Sequence, residues 1–282
     1  MLATDRHDAA RSDWITRTRA LVDDHLDHML SHQHPSPVTE AMRYSVLAPG
    51  KRIRPLLTLA VSEFLGDAPE RALPVACCIE MIHCASLILD DLPCMDDDRE
   101  RRSRLCTHIE FGESLTILAA VSLLTQSYCT LASLDRLEQG LRLQLVQMLC
   151  DTVGHGGLSL GQYIDLHAKG ARPTPADITD IHHLKTGVLF MAAARAGCMI
   201  GAATPEQERK VMRFTTNMGL AFQLLDDLKD MDTSGANMVT RIGAASAERK
   251  FAEYVQAAHA AVEGEPNAPV LQNLAKAFLR KK

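Results

Sequence analysis

Apolar residues recur along most of the chain at the spacing of an α-helix, so the sequence predicts an all-α protein. Before Asp90, small and apolar residues follow one another at intervals of four, three, four and three from Val75 to Leu89. Those intervals keep them on one face of a helix. An amphipathic first helix or two is predicted within residues 1–34. The other predicted helices cover 37–47, 52–65, 69–92, 112–132, 136–152, 175–200, 205–231, 245–262 and 267–280.

Three predicted helices begin in the same way, with a serine or threonine followed by proline. They start at Ser36-Pro37, Thr174-Pro175 and Thr204-Pro205. A hydroxyl at the N-cap accepts a hydrogen bond from the first turn, and proline fits the first helical position because an N–H there has no partner. No β-hairpin signal, fixed-period repeat or linker interrupts the pattern. We therefore predict one helical domain over residues 1–282.

Composition and charge exclude several classes of partner. The 282 residues are 46% hydrophobic and only 4% aromatic, which favours helices over sheets. A net charge of −5 and a pI near 6.2 give no footprint for nucleic acid or for an anionic membrane. The uncharged stretch 114–134 is long enough to cross a bilayer, but its Ser, Thr and Gln residues favour a buried helix.

The cysteines and the N-terminus indicate a cytoplasmic protein. Eight cysteines show no CxxC pair and no Cys/His metal spacing, so they are expected to be reduced core residues. The first residues mix acids and bases and lack an apolar h-region, so they predict neither a signal nor a transit peptide.

A dense acidic cluster follows the helix predicted over 69–92. Five aspartates lie within 90–98, and four arginines lie within 99–104. Carboxylates packed so closely repel one another unless cations compensate, and arginines bind phosphate bidentately. The alternative is a solvated helix end. The junction with a core-like apolar run favours a metal-bridged phosphate site instead. Pro93 would break a helix there, and we predict that two residues loop out so that Asp90 and Asp96 share a face.

Basic residues lie near this cluster. The turn 48–55 places Lys51, Arg52 and Arg54 at the start of a helix, where anions are favoured. His83 lies seven residues before Asp90, and therefore on nearly the same helix face. Glu80 and His83 form an ExxH pair, but a di-iron bundle needs a second such pair and the chain has none.

A second acidic cluster lies in the helix predicted over 205–231. Gly219, Gln223, Asp226 and Asp230 follow spacings of four, three and four and form one stripe. Carboxylates facing the core without a counter-ion would cost several kcal/mol each, so a bound metal is the expected compensation. Lys229 is predicted to lie on another face.

Together these residues resemble the trans-isoprenyl diphosphate synthase family, also called polyprenyl synthetases. The DDLPCMD segment of Asp90–Asp96 is similar to the first aspartate-rich motif, and the LLDDLKD segment at 224–230 is similar to the second. The resemblance extends from the GKRIRP segment at 50–55 to the second motif. It implies an isoprenoid-synthase-type helical bundle around a deep central cavity, and a homodimer.

The resemblance also implies roles for individual residues. The residues matched to three Mg²⁺ ions are Asp90, Asp91, Asp96, Asp226 and Asp230. Those matched to isopentenyl diphosphate are Lys51, Arg54, His83 and Arg102. Those matched to the allylic diphosphate are Arg101, Lys185, Thr186 and Gln223, of which the last three also face the developing cation. The GQYIDL segment with Gly161 and Asp165 is matched to helix packing and support. The loop after Asp230 lacks the lysines usual there, and Lys229 is a possible substitute.

The implied reaction joins isopentenyl diphosphate to an allylic diphosphate through an allylic cation and releases diphosphate. In this family a bulky aromatic residue five or four positions before the first motif stops the product at fifteen carbons. Those positions here are the small residues Ala85 and Ser86, so geranylgeranyl diphosphate is the expected main product. The alternatives are a farnesyl diphosphate synthase, a class I terpene cyclase and a non-catalytic modulatory subunit. The expected partners are small isoprenoid diphosphates, with no nucleic acid and no transmembrane segment.

Overall fold

The computed structural model describes residues 2–168, 174–229 and 237–279, and helices make up most of them. The all-α fold class is therefore confirmed. The helices are α1 (Leu2–Ser31), α2 (Pro37–Val46), α3 (Ile53–Phe64), α4 (Pro69–Asp90), α5 (Thr107–Phe111), α6 (Glu113–Ala132), α7 (Gln139–Val153), α8 (Leu158–Ala168), α9 (Pro175–His182), α10 (Val188–Ile200), α11 (Pro205–Lys229), α12 (Met238–Ile242), α13 (Ala244–Ala261) and α14 (Ala268–Phe278).

The chain forms two compact units. The first unit contains Met1–Leu56 and Glu70–Val146, and the second contains Leu57–Pro69 and Gln147–Lys282. One domain over 1–282 stays a prediction.

The core of the first unit is built around α4. Most of this helix is buried, because apolar residues surround it on nearly all sides. In the same unit, α6 packs against α2 and α5. The core of the second unit is built on α11, which packs against α13 and α10, with Phe214 fully buried. Apolar burial of this kind supplies the main favourable term in folding.

The structure corrects the sequence predictions of secondary structure at several points, and α5, α8 and α12 lie where no helix is predicted. The predicted helix over 175–200 contains a π-helical turn, His183–Gly187, between α9 and α10. A two-stranded antiparallel hairpin, β1 (Glu100–Arg101) and β2 (Arg104–Leu105), follows the first acidic cluster, where no hairpin signal is present. Its turn residues, Arg102 and Ser103, are not the Asn-Gly type that marks such turns.

Two helices are long and apolar enough to cross a membrane by length and composition alone, α4 and α6. The apolar stretch of α4 is 72% buried and that of α6 is 33% buried. The core helix of a globular protein meets the same criteria, so this finding is weak evidence for a membrane span.

Candidate active site

The first acidic cluster lies in a loop that closes on the end of α4. The Asp96 N–H donates to the Asp90 carbonyl oxygen at 2.9 Å, a bond that spans six residues. In a regular helix that carbonyl would accept from a residue four positions on. The bond thus spans two residues more than a helical one, but α4 ends at Asp90 and not at residue 92, so the shared helix face of Asp90 and Asp96 stays a prediction.

The carboxylates of this loop differ in environment. Asp90 is 9% exposed and Asp96 is half-buried. The Asp91 side chain is only 2% exposed and is paired with Arg101. Burial raises the pKa of Asp91, while Arg101 and the Cys106 thiol oppose that rise. Asp91 thus anchors the hairpin to α4, which is compatible with its expected supporting role.

Three of the residues matched to isopentenyl diphosphate come together in the first unit. Arg54 Nη1 lies 3.0 Å from His83 Nε2. Arg102 lies against the Gly50 backbone, where an added Cβ would sit 2.7 Å from Arg102 Nη1. Burial lowers the pKa of His83 well below its usual value, and the positive charges of Arg54 and Arg102 lower it further. His83 is therefore neutral at pH 7 inside a cationic group. Lys51 is exposed beside Gly50.

Arg52 is the basic residue of this turn that has a structural role. Its guanidinium donates to Asp23 at 2.7 Å, to Glu80 at 2.9 Å and to the Val46 carbonyl at 2.8 Å. Burial alone would lower the pKa of Arg52, but the negative charge of the buried Glu80 carboxylate outweighs this effect. The pKa of Arg52 is therefore above its usual value. Glu80 therefore fixes the basic turn and is not one half of a metal-binding ExxH pair. The sequence signal for such a buried partner is the position of Glu80 within the apolar part of α4.

A cavity of about 370 Å³, including its open mouth, lies within the first unit between α2, the end of α4 and the hairpin. Arginines and two thiols line it, among them Arg101, Arg102, Cys84 and Cys106. Burial raises the pKa of both thiols to about 12. They are neutral thiols at pH 7 and weak nucleophiles, which leaves the arginines to determine what this cavity attracts.

The second acidic cluster differs from its prediction. The buried carboxylate of α11 is Asp227, at 6% exposure, whereas the Asp226 side chain is 33% exposed. Asp227 accepts hydrogen bonds from Gln223 Nε2 at 3.0 Å and from the Met238 N–H at 2.9 Å, and Asn237 donates to its backbone carbonyl. The core-facing carboxylate is thus hydrogen-bonded by one protein group that precedes it in sequence and one that follows it.

The prediction that Lys229 lies on another face is wrong. Its Nζ is 3.9 Å from Asp226 Oδ1, one helical turn away, since positions three apart are neighbours on a helix. Asp230 and the loop after it lie outside the described residues.

The π-helical turn carries Lys185 and Thr186, and α8 packs against it. Lys185 Nζ lies 2.6 Å from Asp165 Oδ2. A Cβ on Gly161 would come within 2.6 Å of the Leu184 backbone, so only glycine allows this approach. Thr186 is half-buried on the same turn. The packing and supporting roles expected for Gly161 and Asp165 agree with these contacts. Such bulges occur often at functional sites.

The two positions matched to product length lie on different faces of α4. Ala85 is fully buried, whereas Ser86 is partly exposed and donates to the His83 carbonyl. Ser86 is therefore half-buried on the same side of α4 as His83.

Within the described parts of the chain, no three His, Cys, Asp or Glu side chains are arranged to hold a metal ion. Mg²⁺ does not require such a cage, because it usually binds one or two carboxylates together with water and substrate phosphates. A backbone hydrogen bond holds Asp90 and Asp96 together, and their carboxylate oxygens are the kind of ligand that suits Mg²⁺.

Comparison with known proteins identifies the family. The family model "Polyprenyl synthetase" matches residues 35–279. A geranylgeranyl diphosphate synthase of Pseudescherichia vulneris is 40% identical over 254 residues, 85% of this chain and 82% of that protein. A farnesyl diphosphate synthase of Geobacillus stearothermophilus is 39% identical over 218 residues, 77% of this chain and 73% of that one.

Solved structures give the same result. A crystal structure described as an FPP/GFPP synthase of Zymomonas mobilis has a TM-score of 0.90 and 29% identity, and the match covers 96% of this chain and 99% of that one. The chain therefore belongs to the polyprenyl synthetase family, a family of prenyltransferases in isoprenoid biosynthesis.

Proposed function

We propose that this protein condenses isopentenyl diphosphate with an allylic diphosphate and that its main product is geranylgeranyl diphosphate. The observation that carries the proposal is the group formed by Arg54, His83 and Arg102 against Gly50. This group is positive and partly buried, and one of its members, His83, lies on α4, whose last residue is Asp90. Family membership and similarity to geranylgeranyl diphosphate synthases support it.

The basic group binds isopentenyl diphosphate. Arg54 and Arg102 offer guanidinium donors to its phosphate oxygens, and Lys51 adds an exposed positive charge beside Gly50. His83 stays neutral between them, so it can donate or accept a hydrogen bond without adding to the repulsion among the arginines. Gly50 leaves room for the Arg102 guanidinium beside the backbone.

The aspartates bind the allylic diphosphate through Mg²⁺. Asp90 and Asp96 would hold the ions on the first motif with Asp91 in support, and Asp226 with Asp230 on the second. Bound Mg²⁺ neutralises the leaving diphosphate, and three ions are expected. Arg101 is held by Asp91 through Nε and by Asp98 through Nη2, which leaves its Nη1 donors for phosphate.

Lys185, Thr186 and Gln223 act where the carbon–oxygen bond breaks. Lys185 moves from Asp165 to the leaving diphosphate, and the Thr186 and Gln223 oxygens face the developing cation. The double bond of isopentenyl diphosphate attacks that cation, and the released diphosphate accepts the proton that is lost. The buried thiols are too weakly acidic to compete as nucleophiles.

Small side chains on α4 support the twenty-carbon product. Ser86 on the accessible face leaves space where a bulky aromatic residue would stop the product at fifteen carbons. One helical turn of about 5.4 Å is close to one isoprene unit, so one further addition to farnesyl diphosphate is reasonable.

Product analysis tests the proposal. The protein is incubated with isopentenyl diphosphate and, in turn, dimethylallyl, geranyl and farnesyl diphosphates, with Mg²⁺ or with EDTA, and the dephosphorylated products are separated. Twenty-carbon alcohol that forms only with Mg²⁺ is expected. Farnesyl diphosphate that remains unextended would overturn the chain-length assignment and leave the transferase assignment intact.

A farnesyl diphosphate synthase is the second candidate, because a relative with that name is 39% identical. The same assay separates the two, since farnesol would then be the final product. A terpene cyclase would consume its allylic substrate without isopentenyl diphosphate, and a modulatory subunit would be inactive alone.

The homodimer and the cytoplasmic location are part of this proposal. The α6 helix exposes Ile117, Leu118 and Val121, an apolar face of the kind that pairs with a second copy. Light scattering should give twice the mass of 30.9 kDa, and Leu118→Glu should reduce it to one chain. An unchanged dimer in that variant would exclude this face.

A further inference from the structure

The hairpin that carries Arg101 and Arg102 has an unfavourable turn. Arg102 and Ser103 join β1 to β2 with φ values of 56° and 60°. A turn with positive φ at both central positions normally uses Asn-Gly, because a residue with a Cβ pays about 1–2 kcal/mol in this conformation. The local sequence does not favour this hairpin, so contacts from elsewhere must hold it.

Tyr44, on α2, makes such contacts. Its hydroxyl donates to the Leu105 carbonyl at 3.0 Å, and the Arg104 guanidinium lies 3.9 Å above the centre of its ring. Arg104 Nη1 also donates to the Tyr44 carbonyl at 3.4 Å. On the other side, Phe111 meets the ring edge-on at 5.3 Å. One side chain therefore contacts both residues of β2.

The position of β2 determines where the arginines of β1 and the turn lie. Arg104 pairs with Arg101 across the ladder, and Arg102 is the next residue in the chain, with its guanidinium against Gly50. Arg101 is anchored separately by Asp91. Arg102 itself lies at the strained turn, so its orientation depends most on the second strand.

We infer that Tyr44 is a positioning residue for isopentenyl diphosphate binding: it holds β2 through Arg104 and Leu105, and so holds Arg102 in its binding orientation. This inference rests on the proposed role of Arg102. Tyr44 itself touches no substrate group in this scheme.

Steady-state kinetics of Tyr44→Leu and Tyr44→Phe test the inference. Phenylalanine keeps the ring beneath Arg104 and loses only the hydroxyl, whereas leucine loses both contacts. We expect Tyr44→Leu to raise the KM for isopentenyl diphosphate about tenfold and Tyr44→Phe about threefold, since one tenfold step is about 1.4 kcal/mol. The KM for the allylic substrate should change less than twofold.

A second substitution separates positioning from general stability. Ser103→Gly removes the strain at one turn position, so Tyr44→Leu should raise the same KM by a smaller factor in that background than in the native protein. Tyr254→Leu, at a half-buried tyrosine on α13, is the matched control and should leave this KM unchanged. Equal factors in both backgrounds, or equal effects on both substrates, would overturn the inference.

Hydrogen exchange gives a readout that does not depend on the proposed reaction. The Cys106 N–H donates to the Arg99 carbonyl at the open end of the hairpin. Its exchange should accelerate in Tyr44→Leu at unchanged melting temperature. Unchanged exchange would refute the support of the hairpin by Tyr44 even if the protein had no transferase activity. Faster exchange without any transferase activity would refute only the proposed function.

Discussion

The two units treat their polar groups in opposite ways. In the first unit, Arg54 and Arg102 lie near a neutral His83, although Arg101 is paired with Asp91 and Asp98. In the second unit, the candidate groups are paired inside the protein: Lys185 with Asp165, Gln223 with Asp227, and Asp226 with Lys229. The first arrangement is organised for an anion before it arrives. In the proposed reaction, the second arrangement requires groups to exchange partners when a substrate binds.

This difference predicts different kinetic effects. Substitutions in the basic group of the first unit should mainly weaken binding, because its charges are in place before binding. Substitutions in the second unit should mainly lower kcat, because its groups move to the substrate during the reaction.

The largest effects are expected for the aspartates that we propose to bind Mg²⁺. Asp90→Asn and Asp226→Asn should each lower kcat about 100-fold to 1,000-fold, because each removes a charge that stabilises the leaving diphosphate. The measurement is product formation at saturating substrates across a range of Mg²⁺ concentrations. Asp97→Asn is the control, since Asp97 is exposed in the same loop and asparagine tolerates its positive φ. A similar loss in Asp97→Asn would show that only the net charge of the loop matters.

Arg102→Gln should have the next largest effect. Losing a charge-assisted hydrogen bond of about 1.5–3 kcal/mol should raise the KM for isopentenyl diphosphate about 10-fold to 100-fold. The allylic KM should stay nearly constant. Arg99→Gln removes an exposed arginine just before the hairpin and serves as the control. A larger effect on the allylic KM would assign Arg102 to the other substrate.

Asp165→Asn tests the paired arrangement in the second unit. The amide keeps the shape but loses the charge that holds Lys185 at 2.6 Å. We expect kcat to fall about tenfold, since Lys185 loses its defined position, while both KM values change little. A change in KM alone would show that Lys185 binds the substrate before the reaction starts.

The smallest effect concerns pH. The pKa of His83 is lower in the folded protein than in the unfolded chain, so the unfolded chain takes up more protons as the pH falls through about 6.5. The stability contribution is present above that value and is lost below it. The free energy of unfolding should therefore decrease from pH 7.5 to 5.5, and less steeply in His83→Gln. An equal slope in both proteins would show that His83 does not contribute. His25 and His259, whose pKa values are also lowered, account for a remaining slope.

The sequence predicts the helices well because their signals are local. Caps, proline positions and apolar spacing place α2, α3 and α11 within a few residues, whereas α8 is missed. The loop between Asp90 and Asp96 follows from Pro93, which cannot continue a helix.

The errors concern features that depend on distant residues. The hairpin turn at Arg102 and Ser103 has no local signal, because Tyr44 stabilises it from α2. The π-helical turn depends on the close approach of Gly161. Asp227 is buried because Asn237 and Met238 fold back onto it, and helical spacing alone does not show that contact.

One consequence of α4 concerns the reach of the reaction. His83 and Asp90 lie on this single buried helix, seven residues and so about 10.5 Å apart along its axis. If His83 and Asp90 bind the two diphosphates as proposed, this helix sets the distance between the two substrate heads. In that case the reacting carbon atoms come together through bending of the substrate chains, and the distance between the two diphosphate sites does not change.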